Sequence, residues 1–149
     1  MRLVLMRHST AADGSPDHSR SLAPEGREQS KARGRDLAGY PFDLAIVSDA
    51  RRTQETFGLL GLDIPQVDID PEIYYGSHQD IVQKVRDLPE SVSTALIVGH
   101  EPTISHAAAI LGQTSQRVHE VRAGVSTATA IVIDFETWDG PGTIVEIYR

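Results

Sequence analysis

The feature that most constrains this chain is a pattern that occurs three times: a short apolar run that stops abruptly in charge. Leu3-Val4-Leu5-Met6 stops at Arg7-His8. Asp43–Ser48 (Asp-Leu-Ala-Ile-Val-Ser) is followed by Asp49, Arg51 and Arg52, and Thr94–Gly99 (Thr-Ala-Leu-Ile-Val-Gly) by His100-Glu101. Continuous rather than alternating apolar runs are strands buried on both faces, so helices must cover both sides of the sheet. Taken singly, each polar ending could be a solvated loop start. Three together favour one cleft, because parallel strands share a carboxyl edge and ligands of open α/β sheets collect there.

The segments between fit that plan. Ala11 to Arg20 is rich in Asp, Gly, Ser and Pro and reads as a loop. Pro24-Glu25 suits the first turn of a helix running to about Ala38, with a thin apolar face, Gly26 and Gly34 as weak points, and Gly39 and Pro41 as its end. A second helix spans about Arg52 to Leu60, with Gly61 as its left-handed cap. Gln66–Asp70 alternates like an edge strand. Ser77 with Asp80 resembles a capping box, and Ile81, Val85 and Leu88 mark a helix face stopped by Pro89. Pro102 opens the next helix, which Ile110, Leu111 and Gly112 close. Thr127–Phe135 is β-rich, Trp138–Gly142 is a turn, and Thr143–Tyr148 returns antiparallel. The expected fold is an α/β three-layer α/β/α sandwich over residues 1–149, one domain, with a mostly parallel central sheet and a C-terminal antiparallel hairpin.

The formal net charge is −7, so any anion site must be a local concentration of arginine, and a general nucleic-acid binder is disfavoured. There is no cysteine, hence no thiolate nucleophile, disulfide or cysteine-based zinc site. No apolar run approaches a membrane span, and Leu3–Met6 is too short for a signal-peptide core, which together give a cytoplasmic expectation.

Arg7, His8, the Arg51-Arg52 pair and His100 at one sheet edge suggest phosphoryl transfer without an obligatory metal or other cofactor. Guanidinium and imidazole donors would neutralise the phosphoryl oxygens while one neutral imidazole attacks phosphorus in line. A backbone carbonyl accepting the other ring N–H would fix the tautomer needed. Met6-Arg7-His8-Ser9 resembles the Arg-His-Gly signature of the histidine phosphatase superfamily, also called phosphoglycerate-mutase-like. Ser48-Asp49-Ala50-Arg51-Arg52-Thr53-Gln54-Glu55-Thr56 is similar to its second arginine motif, in a register that selects Arg52 over Arg51. Val98-Gly99-His100-Glu101-Pro102 is similar to its second-histidine motif, and Leu22–Gly26 resembles the small SixA-type branch. The resemblance implies that His8 is the nucleophile and forms a phosphohistidine intermediate. It likewise implies that Arg7, Arg52 and His100 bind the phosphoryl group. Arg20 stands where SixA-like chains often carry an arginine near the pocket.

Two departures matter. Ser9 replaces the usual glycine, and could either add a hydroxyl to the phosphate site or simply adopt a negative φ. No segment corresponds to the family insertion that carries a leaving-group acid; Glu72 in the Ile69–Ser77 stretch is only a weak candidate. A positioned acid is worth roughly a hundred- to ten-thousandfold, so its lack favours a leaving group that departs easily. The expected substrate is therefore a phosphohistidine protein or another activated phosphate. The alternatives are a small-molecule phosphomonoesterase acting on a sugar phosphate or nucleotide-related compound, and a catalytically silent phosphate-binding module. The remaining candidates have blander readings. His106 reads as a helix histidine, while His18, His78 and His119 read as solvated. Asp13 and Asp17 read as loop acids facing water, Arg51 as a surface or supporting residue, and Tyr74 and Tyr75 as rim or packing groups. A zincin-type helix would need histidine where Ile104 stands.

Overall fold

Six strands form one sheet in the order β3-β2-β4-β1-β5-β6, in a computed structural model that describes residues 1–149. They are β1 (Arg2–Arg7), β2 (Leu44–Ser48), β3 (Gln66–Asp70), β4 (Thr94–Gly99), β5 (Ala130–Phe135) and β6 (Gly142–Tyr148). The first four run parallel; β5 lies antiparallel to β1, and β6 antiparallel to β5. The helices are α1 (Pro24–Leu37), α2 (Arg51–Leu60), α3 (Glu72–Tyr75), α4 (His78–Arg86), α5 (Thr103–Leu111) and α6 (His119–Arg122).

The period of two along each central strand divides the apolar side chains between two cores. Leu3, Leu5, Ile46, Ala95, Ile97, Ile131 and Ile133 face Ile81 and Val85 of α4, Ile104 and Leu111 of α5 and Val121 of α6. Val4, Met6, Ala45, Val47, Leu96, Val98 and Val132 face Leu37 of α1 and Leu60 of α2. Two cores on opposite faces of one sheet make the three-layer α/β/α sandwich.

Several local expectations change. Gly26 and Gly34 are contact points, not weak points. A Cβ at Gly34 would lie 2.0 Å from the Leu60 carbonyl oxygen, and one at Gly26 would lie 2.0 Å from that of Thr10. The thin apolar face of α1 is offset by this close approach and by buried Arg33, whose Nε donates to the Ala128 carbonyl at 2.8 Å. α4 ends at Arg86, although Leu88 beyond it still packs on the core. α5 begins at Thr103, after Pro102. β5 begins at Ala130 because residues 126–129 form a turn, with Ala128 in the left-handed region at φ 62°. Helix α6 and a short 3-10 turn at Asp17–Ser19 lie in stretches that read as irregular. No helix is long and apolar enough to cross a membrane.

Candidate active site

Neighbouring strands β2, β4 and β1 bring the candidate residues to one edge. Arg7 is the last residue of β1 and His8 the next; Arg52 is the second residue of α2, which follows β2; His100 follows β4. The spacing between these groups is therefore an inter-strand spacing, held by backbone hydrogen bonds. The His8 and His100 ring centroids lie 5.3 Å apart.

Each imidazole has an assigned tautomer from its partners. His8 Nδ1 lies 2.7 Å from the Ser9 carbonyl oxygen, which can only accept, so Nδ1 carries the proton. That leaves Nε2 with a free electron pair, facing the Arg52 Nε–H at 3.4 Å. His100 Nδ1 faces Arg52 Nη2 at 3.3 Å and must accept, so its Nε2–H donates to Ser48 Oγ at 2.8 Å. Burial pushes the His8 pKa down to about 4, with the charges of Arg52, Arg7 and Arg20 adding and the Ser9 carbonyl opposing. Burial likewise pushes His100 down to about 3, with His8 and Arg52 adding. Both rings are neutral near pH 7.

The arginines differ in how they are held. Arg52 is buried, and its outer nitrogens reach Asp17: Nη1 donates to the backbone carbonyl at 2.9 Å and Nη2 to Oδ2 at 3.1 Å. Arg7 Nη1 donates to the Val125 carbonyl at 2.8 Å, while its Nε is buried with no hydrogen-bond partner. A buried N–H left unpaired costs roughly 1–3 kcal/mol, which an anion within reach would recover. Glu101, next to His100, accepts from Ser105 N, Ser105 Oγ and Val125 N, tying the start of α5 to the loop that holds Arg7.

Arg7, His8, Arg52 and His100 are thus gathered together. Ser9 and Arg20 are not added to them. The Ser9 hydroxyl lies 2.7 Å from Ser30 Oγ, and Ser30 donates to the Gly26 carbonyl, so the Ser9 proton goes to Ser30. The Ser9 N–H donates to Thr56 Oγ1 at 3.0 Å, and φ at residue 9 is not positive. Its hydroxyl is spent on packing α1 against the strand end, which corrects the phosphate-hydroxyl expectation. Arg20 donates through Nε to the Ala12 carbonyl and through Nη1 to Asp17 Oδ1, both at 3.0 Å, and makes no hydrogen bond to His8, Arg52 or His100. Glu72 lies 3.0 Å from Lys84 Nζ, which also pairs with Asp70.

Two residues gain a place at the mouth of the site. Asp17 does not simply face water: its Oδ2 accepts from Tyr74 Oη at 2.8 Å as well as from Arg52. The Tyr74 hydroxyl, Arg20 and Arg52 hold its carboxyl well below the usual carboxylate range. The Tyr74 ring stands edge-on to His100 at 5.4 Å and to His18 at 4.8 Å, and His18 Nε2 lies 3.0 Å from Asp49 Oδ1. Tyr75 is exposed, Arg51 lies outside the cluster against Glu55, and His106 sits edge-on to His78 away from the site. The signal for Asp17 lay only in its nearness to Arg20 in a polar loop, and for Tyr74 in nothing periodic.

A sequence model of the histidine phosphatase superfamily, branch 1, matches residues 3–126. An uncharacterized protein of Mycobacterium tuberculosis is 36% identical over 114 residues, covering 74% of this chain and 72% of that one. Among solved structures, a candidate phosphohistidine phosphatase SixA from Nakamurella multipartitia is 30% identical, with a TM-score of 0.88 over 99% of this chain and 95% of that one. The protein histidine phosphatase SixA complexed with tungstate, 24% identical, shares the fold with a TM-score of 0.86 over 99% and 96%.

Proposed function

Because the chain belongs to the histidine phosphatase superfamily, branch 1, a family of phosphatases with a histidine nucleophile, we propose that it hydrolyses phosphohistidine in a protein, or a similarly activated phosphate, with His8 as that nucleophile. In the first step the lone pair on His8 Nε2 attacks phosphorus as the bond to the leaving nitrogen breaks; that bond's electron pair passes to the leaving ring, which carries a proton on its other nitrogen and departs as neutral imidazole. In the second, water attacks the phosphorylated His8 and inorganic phosphate departs. Arg7, Arg52 and His100 stabilise the charge that builds on the phosphoryl oxygens through both steps.

The observation that carries the substrate reading is that each carboxylate near the site is already engaged. Glu101 accepts three hydrogen bonds, Glu72 pairs with Lys84, Asp49 lies 3.0 Å from His18 Nε2, and Asp17 is held ionised by Tyr74, Arg20 and Arg52. A carboxyl kept ionised is a poor proton donor to a leaving oxygen. An alkoxide needs that proton from the enzyme; a phosphorylated imidazole takes its proton from water on the other ring nitrogen, at a pKa in the ordinary histidine range near 6.5, and then leaves as neutral imidazole.

The test compares release of phosphate from a phosphohistidine protein and from a phosphoserine peptide. Preference for phosphohistidine is expected, together with an acid-labile label on the wild-type enzyme that His8→Ala lacks. Preference for phosphoserine would overturn the substrate reading, and full activity in His8→Ala the mechanism.

A further inference from the structure

The Arg52 guanidinium bridges two chemically different ends of the site. Its Nε faces the attacking nitrogen of His8, whereas Nη1 and Nη2, at the other end of the fork, both reach Asp17. A phosphoryl group being attacked by His8 Nε2 must point its leaving bond away from His8, hence toward the end of the guanidinium where Asp17 stands. Tyr74, bonded to Asp17, and His18 with Asp49 continue the rim in that direction. The groups facing His8 are thus cationic, and a carboxylate is bonded to the outer end of the Arg52 guanidinium.

We propose that Asp17 sets the charge of the leaving group this site accepts. Its carboxylate stabilises a ring that carries a proton on its other nitrogen and departs neutral, and opposes a group that departs as an anion. The same carboxylate accepts from Arg52 Nη2 while the Asp17 backbone carbonyl accepts from Nη1, so a phosphoryl group must share or displace these contacts. The cost of displacement is common to all phosphates, whereas the leaving-group effect depends on charge. This inference deepens the phosphohistidine reading, since imidazole is a group of the favoured kind.

The experiment measures kcat/KM, at a pH where the N-phosphorylimidazole ring is protonated, for N-phosphorylimidazole and for p-nitrophenyl phosphate, which share a phosphoryl group but release neutral imidazole and an anionic phenolate. Wild type is compared with Asp17→Asn and Asp17→Glu. In Asp17→Asn the ratio of the two values should fall about tenfold, as removal of one charge near a partly exposed leaving atom implies. Asp17→Glu should retain most of the wild-type ratio. Any gain from freeing Arg52 acts on both substrates and cancels in the ratio, as does a general structural loss. An Asp17→Asn ratio equal to wild type would overturn the proposal, and so would equal falls in Asp17→Asn and Asp17→Glu. The substrate reading fails separately: a wild type that prefers the phosphoserine peptide but still shows the Asp17-dependent ratio would lose its phosphohistidine assignment and keep its charge filter.

Discussion

Gly26 of α1 lies directly against the carbonyl of Thr10, so that a side chain at position 26 would have to push aside the segment that carries His8 and Ser9. Thr10 is held there by more than this contact: its N–H donates to Gln29 Oε1 at 2.9 Å, and its carbonyl accepts from Ala23 N. The backbone beside the candidate nucleophile is therefore positioned from α1. Gly34 makes an equivalent approach to Leu60, away from the site. Gly26→Ala and Gly34→Ala should each destabilise by about 1–3 kcal/mol through forced displacement of backbone. Only Gly26→Ala should also lower kcat in the folded protein. Denaturant midpoints and steady-state rates on both variants check this; equal kcat losses would contradict it.

Arg52 should be the arginine on which turnover depends. Arg52→Lys keeps a charge but not the fork that faces His8, His100 and Asp17, and should cost about a hundred- to a thousandfold in kcat. Arg51→Ala, whose side chain projects to Glu55, should stay within about twofold, as exposed substitutions do. Rates measured on any accepted phosphate substrate distinguish the two.

Ser48 should act through His100. It is the only hydrogen-bond partner of His100 Nε2, at 2.8 Å, and it also accepts from Ala50 N. Ser48→Ala should lower kcat by about tenfold while leaving KM nearly unchanged, the expected effect of freeing the orientation of a group that binds charge in the transition state. Nitrogen-15 chemical shifts of His100 should move from one tautomer to a mixture. An unaltered tautomer with a lowered kcat would show that Ser48 acts in another way.

Stability should fall on mild acidification. His8 and His100 have folded pKa values of about 4 and about 3, below the ordinary 6.5, so between those values the unfolded chain takes up protons that the folded chain does not. The stabilisation is thus complete above pH 7 and is lost as pH falls from 6.5 toward 4. Each histidine contributes about 2 kcal/mol of that loss between pH 7.5 and pH 5. Urea midpoints across this range should drop steeply for the wild type and less steeply for His100→Gln.

Ser9 should matter for packing and not for turnover. Ser9→Ala removes the hydrogen bond to Ser30 while leaving Ser30 bonded to Gly26, and should cost about 1 kcal/mol in stability with kcat within about threefold of wild type. A much larger kcat loss in a fully folded variant would restore the hydroxyl to the phosphate site.

The sequence was most legible where one physical requirement dominated. Strands buried on both faces must be apolar throughout, so β1, β2 and β4 stood out, and their parallel packing told where Arg7, Arg52 and His100 would meet. Gly61 and the Ser77–Asp80 pair were readable because cap chemistry is local. Helix α1 was harder to read, since its packing depends on absent side chains at Gly26 and Gly34 and on a buried arginine, which hydrophobic periodicity scores as defects. Asp17 and Tyr74 were harder still: nothing within a few residues of either shows that they will meet over Arg52. Their pairing is a product of the tertiary fold.

The adjacency of β2, β4 and β1 separates two properties that substitutions elsewhere could otherwise entangle. Donor spacing at the carboxyl edge is dictated by sheet geometry, so lengthening the turn at Trp138–Gly142, which follows the β5 end beside Met1, alters no distance among His8, Arg52 and His100. Substrate range can drift through the segments that carry His18 and Tyr74 while the phosphorus-facing groups keep their arrangement. A fixed reaction with a replaceable rim is what this strand order makes available.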